Sequence, residues 1–385
     1  MKKLLFCALL IFTCSLLSAF DFELVLDQSA AYDRTGETNS FEYEGSLVPR
    51  FSGLLGENGN YAVSAGLSYE YGKAGNEQWN LIPELIEANF FFNFNNWNLN
   101  FGRMFYQAPL SFIVNGFFDG GLISFDTRAG IFSAGAWYTG FINKSRAMIK
   151  MTDEEYRDFY SVIEYNNDFV NTYFAPSRAF MALEWEHPSI ARYLRLGVSL
   201  LGQFDFTNEE LHSQYLIAKM TMPFGIFTLD LGGCFSLLQQ SGEMKTALAA
   251  EMELGWYWQK QGLSFLARYS SGHADSMGAF LPITTTTQGN ILYSALSGLT
   301  VFSIDYSLRL HQMLSFNLIP AYYIGNAGAN SGVSGGEIFG RINFSPFSDI
   351  MFSLGGGMFI PSPENTAPYD NNVWRLELNL VIAIF

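Results

Sequence analysis

Five arginines and four glutamates recur in one setting along this chain. Arg195, Arg268, Arg309, Arg341 and Arg375, with Glu184, Glu186, Glu251 and Glu253, each stand beside an apolar residue in a run that alternates in polarity. Glu42, Glu44, Glu70 and Glu87 share the setting. Charges held on one face of such runs can act on solutes through space. Opposite signs segregated across an aqueous interior set up a transverse field that orients polar molecules and excludes apolar ones. Paired with their neighbours, the same groups would only neutralise one another and keep the wall wet. Covalent chemistry has less support. A hydrolase needs a nucleophile with a histidine base, and the four histidines are His187, His212, His273 and His311. His273 has Ser271 and Asp275 nearby, but a triad is defined by geometry, not by adjacency in a loop. No phosphate loop, dinucleotide fingerprint or metal-ligand cluster is present. No catalytic residue, metal or cofactor is expected.

The elements that would position these charges are strands. Leu248, Ala250, Met252, Leu254, Trp256 and Trp258 alternate with Ala247, Ala249, Glu251, Glu253, Gly255 and Tyr257. Period two sends successive side chains to opposite faces. The pattern returns in segments of about ten residues, the length of a tilted membrane-spanning strand. Backbone groups in lipid must be hydrogen-bonded internally, so such strands must close into a barrel, with the apolar face to lipid and the mixed face inside. The expected fold is therefore an all-β, transmembrane antiparallel barrel of about eighteen strands, with sixteen to eighteen compatible with the pattern. The strand centres run from Asp21–Gln28 and Phe41–Ser52 to Ile350–Phe359 and Val373–Phe385. An even count leaves Ile291–Leu296 in a loop or an inward-folded segment. Short connections such as Asn95-Asn96 and Gln259–Gly262 alternate with long ones, notably Gln107–Gly120, Gly140–Arg178 and Ser270–Leu299. In the longest, Thr152-Asp153-Glu154-Glu155 is a capping box followed by Tyr156, Phe159, Tyr160 and Ile163 at helical spacing, so a short helix is expected there, at the rim or in the mouth. The acids of that loop match no calcium-binding spacing. Trp97, Trp185, Trp256 and Trp258 fall near one set of strand ends, and Trp137 and Trp374 near the other, as in an aromatic girdle.

Composition bounds the partners. The chain has 385 residues and a formal net charge of −15. Lys2 and Lys3, the apolar stretch Leu4–Leu17 and Ser18-Ala19 read as a secretory signal over residues 1–19, followed by one barrel domain over 20–385. Removing the signal takes away two lysines and no acid, leaving −17, which argues against nucleic acid. Cys7 and Cys14 leave with it, and Cys234 remains without an intramolecular partner. A lipid on Cys14 is disfavoured by Ile11-Phe12-Thr13 ahead of it. The uncharged stretch from Ser276 to Ile304 is too polar for a transmembrane helix.

Taken together, the signal, the alternating strands, the alternating loop lengths and the terminal Phe385 resemble bacterial outer-membrane β-barrels of the general porin type. Phe101-Gly102-Arg103, Phe118-Asp119-Gly120 and Trp137-Tyr138-Thr139-Gly140 also look like porin sequence. The resemblance implies residence in the outer membrane, insertion by the barrel-assembly machinery, and a pore for small hydrophilic solutes lined by the arginines and glutamates named above. An uptake barrel for apolar molecules and a surface adhesin are the alternatives. Two features depart from the pattern. The lipid-face row Trp374, Leu376, Leu378, Leu380, Ile382 and Ile384 is out of phase with Phe385, which calls for a bulge or a different reading of the terminus. Arg103 shares the lipid phase of Trp97, Leu99 and Phe101, so it must snorkel or be turned inward by a bulge.

Overall fold

A computed structural model describes residues 20–72, 78–190, 193–208, 210–272, 278–326, 330, 332–365 and 370–385. The expected signal segment and the His273/Asp275 pair lie outside the described residues. Among those described, the strands are β1 Phe20–Thr35, β2 Thr38–Leu55, β3 Gly59–Tyr71, β4 Asn80–Phe94, β5 Trp97–Gln107, β6 Asn115–Thr127, β7 Gly130–Tyr138, β8 Arg178–Ile190, β9 Leu194–Asp205, β10 His212–Phe224, β11 Phe227–Gln240, β12 Glu243–Trp258, β13 Gln261–Ser270, β14 Leu299–His311, β15 Leu314–Gly325, β16 Ser334–Phe347, β17 Ile350–Pro361 and β18 Val373–Ile384. Three short helices, α1 Lys144–Ala147, α2 Asp153–Tyr160 and α3 Phe169–Tyr173, lie between β7 and β8.

Each strand pairs antiparallel with its neighbours in the chain, and β1 pairs with both β2 and β18. The sheet is thus a closed barrel of eighteen strands. Most strands run further than alternation marked them, and β1 continues past Gln28 to Thr35. The start of β1, the end of β18 and a set of short turns share one end, the turn end, although the two-residue turns 36–37 and 241–242 lie at the other. Asn95-Asn96 joins β4 to β5 at the turn end, and Asn95 takes the left-handed conformation (φ 55°) that such hairpins require. The longer connections occupy the opposite, loop end. Leu47, Leu183, Leu254 and Leu378 are exposed on the outer face, while their neighbours point inward. β18 keeps one register throughout, and Phe385 lies beyond its last residue. No bulge resets the terminus, because the final aromatic is not part of the strand.

The interior departs from a uniformly wet lumen. An eighteen-stranded barrel is wide enough for an aqueous channel unless loops fill it, and here loops fill one side. Segments 108–114, 139–177, 271–272 and 278–298 fold inward. Leu110, Phe112, Ile113, Phe280 and Ile283 pack in one buried cluster with Phe180, Leu201, Tyr215, Ile217 and Ala249 of the wall. Leu110 reaches Gly232 on β11, where a Cβ would lie 2.3 Å from a leucine methyl. Trp137 belongs to this core. It stacks on Tyr106 (4.0 Å) and Phe180 (5.0 Å) and is 2% exposed, so it is not part of a girdle. Its strand-end position pointed outward, but its phase points inward, and phase decides the face.

Among the described residues, the ladder between β4 and β5 stops well short of the loop end of both strands. Their pairing runs from Phe94 opposite Trp97 to Ala88 opposite Arg103 and stops there, although β4 continues to Asn80 and β5 to Gln107. Arg103 neither snorkels nor is carried inward by a bulge. It turns into the gap where the strands part. Its Nε and Nη2 donate to the Asp119 carboxylate at 2.8 and 2.7 Å, Nη1 to the Leu85 carbonyl at 2.6 Å and Nη2 to that of Phe141 at 2.8 Å.

Neighbouring positions on β2 test the assignment of faces. Leu47 is exposed on the outer face, and Ser46 lines the interior. Leu47→Arg should destabilise the barrel, by less than the roughly 2–4 kcal/mol that a cation costs at mid-membrane, whereas Ser46→Arg should assemble normally. Urea titration of heat-modifiable gel mobility in lipid vesicles measures the difference.

Candidate permeation path

The loop core leaves the other side of the barrel open. A cavity of ≈ 1090 Å³ lies against β16–β18 and β1–β4 on one side and against the inward-folded loops on the other. Asn143, Arg146, Met148 and Lys150, the α2 aromatics Tyr156, Phe159 and Tyr160, and Tyr293 form the loop side.

Local chemistry fixes each loop. The capping box at α2 forms as read from the sequence: Glu155 N–H donates to Thr152 Oγ1 (3.2 Å), and Thr152 N–H to Glu155 Oε2 (3.1 Å). The other oxygen of Glu155 accepts from Arg178 Nε at 2.8 Å. Arg178 is fully buried, and its Nη2 also lies 3.0 Å from Asp205. The helix therefore sits in the mouth, tied to the first residue of β8 and the last of β9. Segment 288–298 is held differently. Glu337 on β16 accepts the backbone N–H groups of Asn290, Ile291 and Leu292 at 2.7, 3.2 and 3.1 Å. This contact sets Tyr293 over the guanidinium of Arg375, 4.8 Å from ring centre. Burial pushes the phenols of Tyr293 and Tyr160 up to about 12, so both stay neutral donors at ordinary pH.

The charged groups fall into three settings. Arg341 and Arg375 line the cavity. Arg375 meets Asp33, directly opposite on β1, at 2.7 Å, and Arg341 reaches across β17 to Glu377 at 2.5 Å. Gly355 makes that crossing possible, since a Cβ there would lie 2.8 Å from Glu377. Arg268 lies beneath the loops, between Glu251 (2.5 Å), Gln288 (2.6 Å) and the Phe112 ring. Glu184 is likewise covered and accepts from Tyr106 at 2.7 Å. Arg195 and Glu186 face each other at 3.5 Å near the turn end. Arg309 is exposed at the turn end of β14, and Glu253 stands opposite Asp230 on β11. The four arginines Arg268, Arg309, Arg341 and Arg375 do not form one strip: two face the cavity, one is under the loops and one is at the turn end.

Other residues of the cavity escaped the sequence. Asp27 lies within the segment that alternation marked, unremarked there, and Asp33 continues its inward phase past Gln28. Arg146 and Lys150 come from the long loop, where only the acids drew notice. The lining carries six carboxylates, Asp27, Asp33, Glu42, Glu44, Glu70 and Glu84, against four cations. Glu44 and Glu70 are directly opposite on β2 and β3, which concentrates negative potential on that wall.

No protein-family model and no curated protein sequence matches this chain. Solved structures do. The chain is similar to OccK2 (OpdF) of Pseudomonas aeruginosa, with a TM-score of 0.64, 11% identity, and 96% of this chain and 98% of that one covered. It is similar to OccAB1 of Acinetobacter baumannii at 0.64 and 12%, covering 96% and 98%. A BenF-like porin from Pseudomonas fluorescens Pf-5 aligns at 0.65 and 10%, covering 96% and 100%. At these identities the likeness concerns the fold, the closed eighteen-strand barrel of outer-membrane porin structures.

Arg178 is the testable anchor of the mouth. Arg178→Leu strands Glu155 and Asp205 without their buried cation, a loss of roughly 3–5 kcal/mol. The barrel should still close, but limited proteolysis should cut within 152–168 in the variant and not in the parent.

Proposed function

We propose that this protein is an outer-membrane channel for passive diffusion of small hydrophilic solutes, exported on residues 1–19 and inserted by the barrel-assembly machinery. The observation that carries the proposal is the cavity of ≈ 1090 Å³ lined by charges of both signs within a closed barrel. Selectivity follows from the lining. Six carboxylates against four cations favour small cations, and the inward loops limit size. The OccK2 barrel has also been solved in complex with glucuronate. A carboxylated sugar is thus a sensible second solute, because Arg341 and Arg375 could exchange a wall carboxylate for that of the solute.

Planar-bilayer recording tests this directly. Discrete conductance steps with reversal potentials favouring cations are expected, and a protein that inserts without conducting would point to a closed adhesin. Arg341→Gln combined with Arg375→Gln should strengthen cation preference, most at low salt where screening is weak. Arg268→Gln should leave selectivity unchanged while lowering stability, because Glu251 then loses its cation under the loops.

A further inference from the structure

The gap between β4 and β5 is closed in an unusual way. Above Ala88, the free edge of β4 has no partner strand. Its carbonyls at Leu81, Pro83 and Leu85 are bound instead by side chains: the Tyr165 hydroxyl, the Tyr173 hydroxyl and the Arg103 guanidinium. Pro83 removes one N–H from this strand, a substitution at home on edges. Ile82, Ile163 and Tyr173 form a small buried apolar cluster with Phe174 against it. Ile82, Glu84 and Arg146 face the cavity, with Arg146 paired to Glu84. Leu81, Leu85, Phe105 and Phe141 are exposed. At about 2.5 Å of rise per tilted residue, Leu85 lies about 22 Å above the turn-end girdle, at the upper border of the roughly 25 Å apolar belt.

We infer that this gap is a side portal, closed by loop 139–177, through which amphipathic cations pass between the cavity and the outer leaflet. The inference rests on the cavity being a permeation path. The acid-rich lining, ending in Glu84 at the gap, accepts an ammonium head, and the Ile82–Ile163–Tyr173 cluster accepts an apolar tail. The seal can open because it is made of side-chain hydrogen bonds, which water can replace at the membrane border, and not of a strand ladder.

The test uses cells whose other porins are deleted, expressing the chain with Leu81→Cys and Tyr165→Cys. A short bifunctional methanethiosulfonate cross-links the pair and reductant releases it. Uptake of radiolabelled decylammonium is compared with that of ethanolamine, which has a similar ammonium head and no long tail. Cross-linking should lower decylammonium uptake about tenfold, the effect of one added barrier of that size, and leave ethanolamine uptake unchanged until reductant restores the first. Equal loss of both would place the loop across the common path and overturn the portal. No change in either, or decylammonium uptake no higher than in cells lacking the protein, would also overturn it. Absent ethanolamine uptake in the parent would instead reject the channel reading itself. Should the cysteine pair fail to assemble, Tyr165→Phe with Tyr173→Phe releases two of the three carbonyls. Decylammonium uptake should then rise with ethanolamine unchanged, and a flat result would overturn the proposal.

Discussion

A backbone carbonyl or amide in hydrocarbon must find its hydrogen bond within the protein, and this requirement organises the whole molecule. It makes a closed antiparallel barrel the available solution for a chain of alternating polarity. It explains why β1 pairs with both β2 and β18. It also gives meaning to the place where β4 and β5 part. At the free edge of β4 the obligation persists, and two tyrosine hydroxyls and an arginine discharge it. Arg103, which looked misplaced on a lipid-facing row, is part of that solution.

The same economy governs the interior. Wall charges taken from water need partners, and most of those here have one from an adjacent strand or an inward loop. Arg268 with Glu251 and Arg178 between Glu155 and Asp205 are covered pairs whose contribution is to place loops, since burial takes back much of the Coulombic gain. Arg341 and Arg375 share Glu377, and Arg375 also meets Asp33. These pairs border the cavity, where water and solutes can compete for either partner. Position relative to the loop core, more than residue type, separates a structural arginine from one that a solute can reach.

What could be read from the sequence follows from this division. Lipid imposes a strict period of two, so the strand count, closure and outer face were legible from rows such as Leu248, Met252, Leu254 and Trp256. The α2 capping box was legible because its chemistry is local. Inward phase was equally legible, but phase does not say what an inward side chain meets. Ala249, Trp137 and Arg268 share an inward phase with Arg341, yet loops cover the first three. Those loops fold by contacts between segments far apart in the chain, such as Ile283 N–H to the Ile113 carbonyl at 2.9 Å and Thr285 N–H to that of Met148 at 2.7 Å. No periodicity encodes such contacts. Arg146 and Lys150 entered the cavity by that route, and so no alternation announced them.

Arg146 links the two halves of the architecture. It lines the cavity and it pairs with Glu84 on the free edge of β4. Lys150, from the same loop, lines the cavity as well. Any displacement of the loop from that edge would carry both cations with it. The six lining carboxylates would then face two cations in place of four, Arg341 and Arg375. The lumen would become more negative as the wall loosened, and the attraction for a cationic head would grow beside the newly exposed apolar cluster. Charge and closure are therefore coupled through one loop, because the strand that needs a cap and the cavity that needs countercharge draw on the same segment.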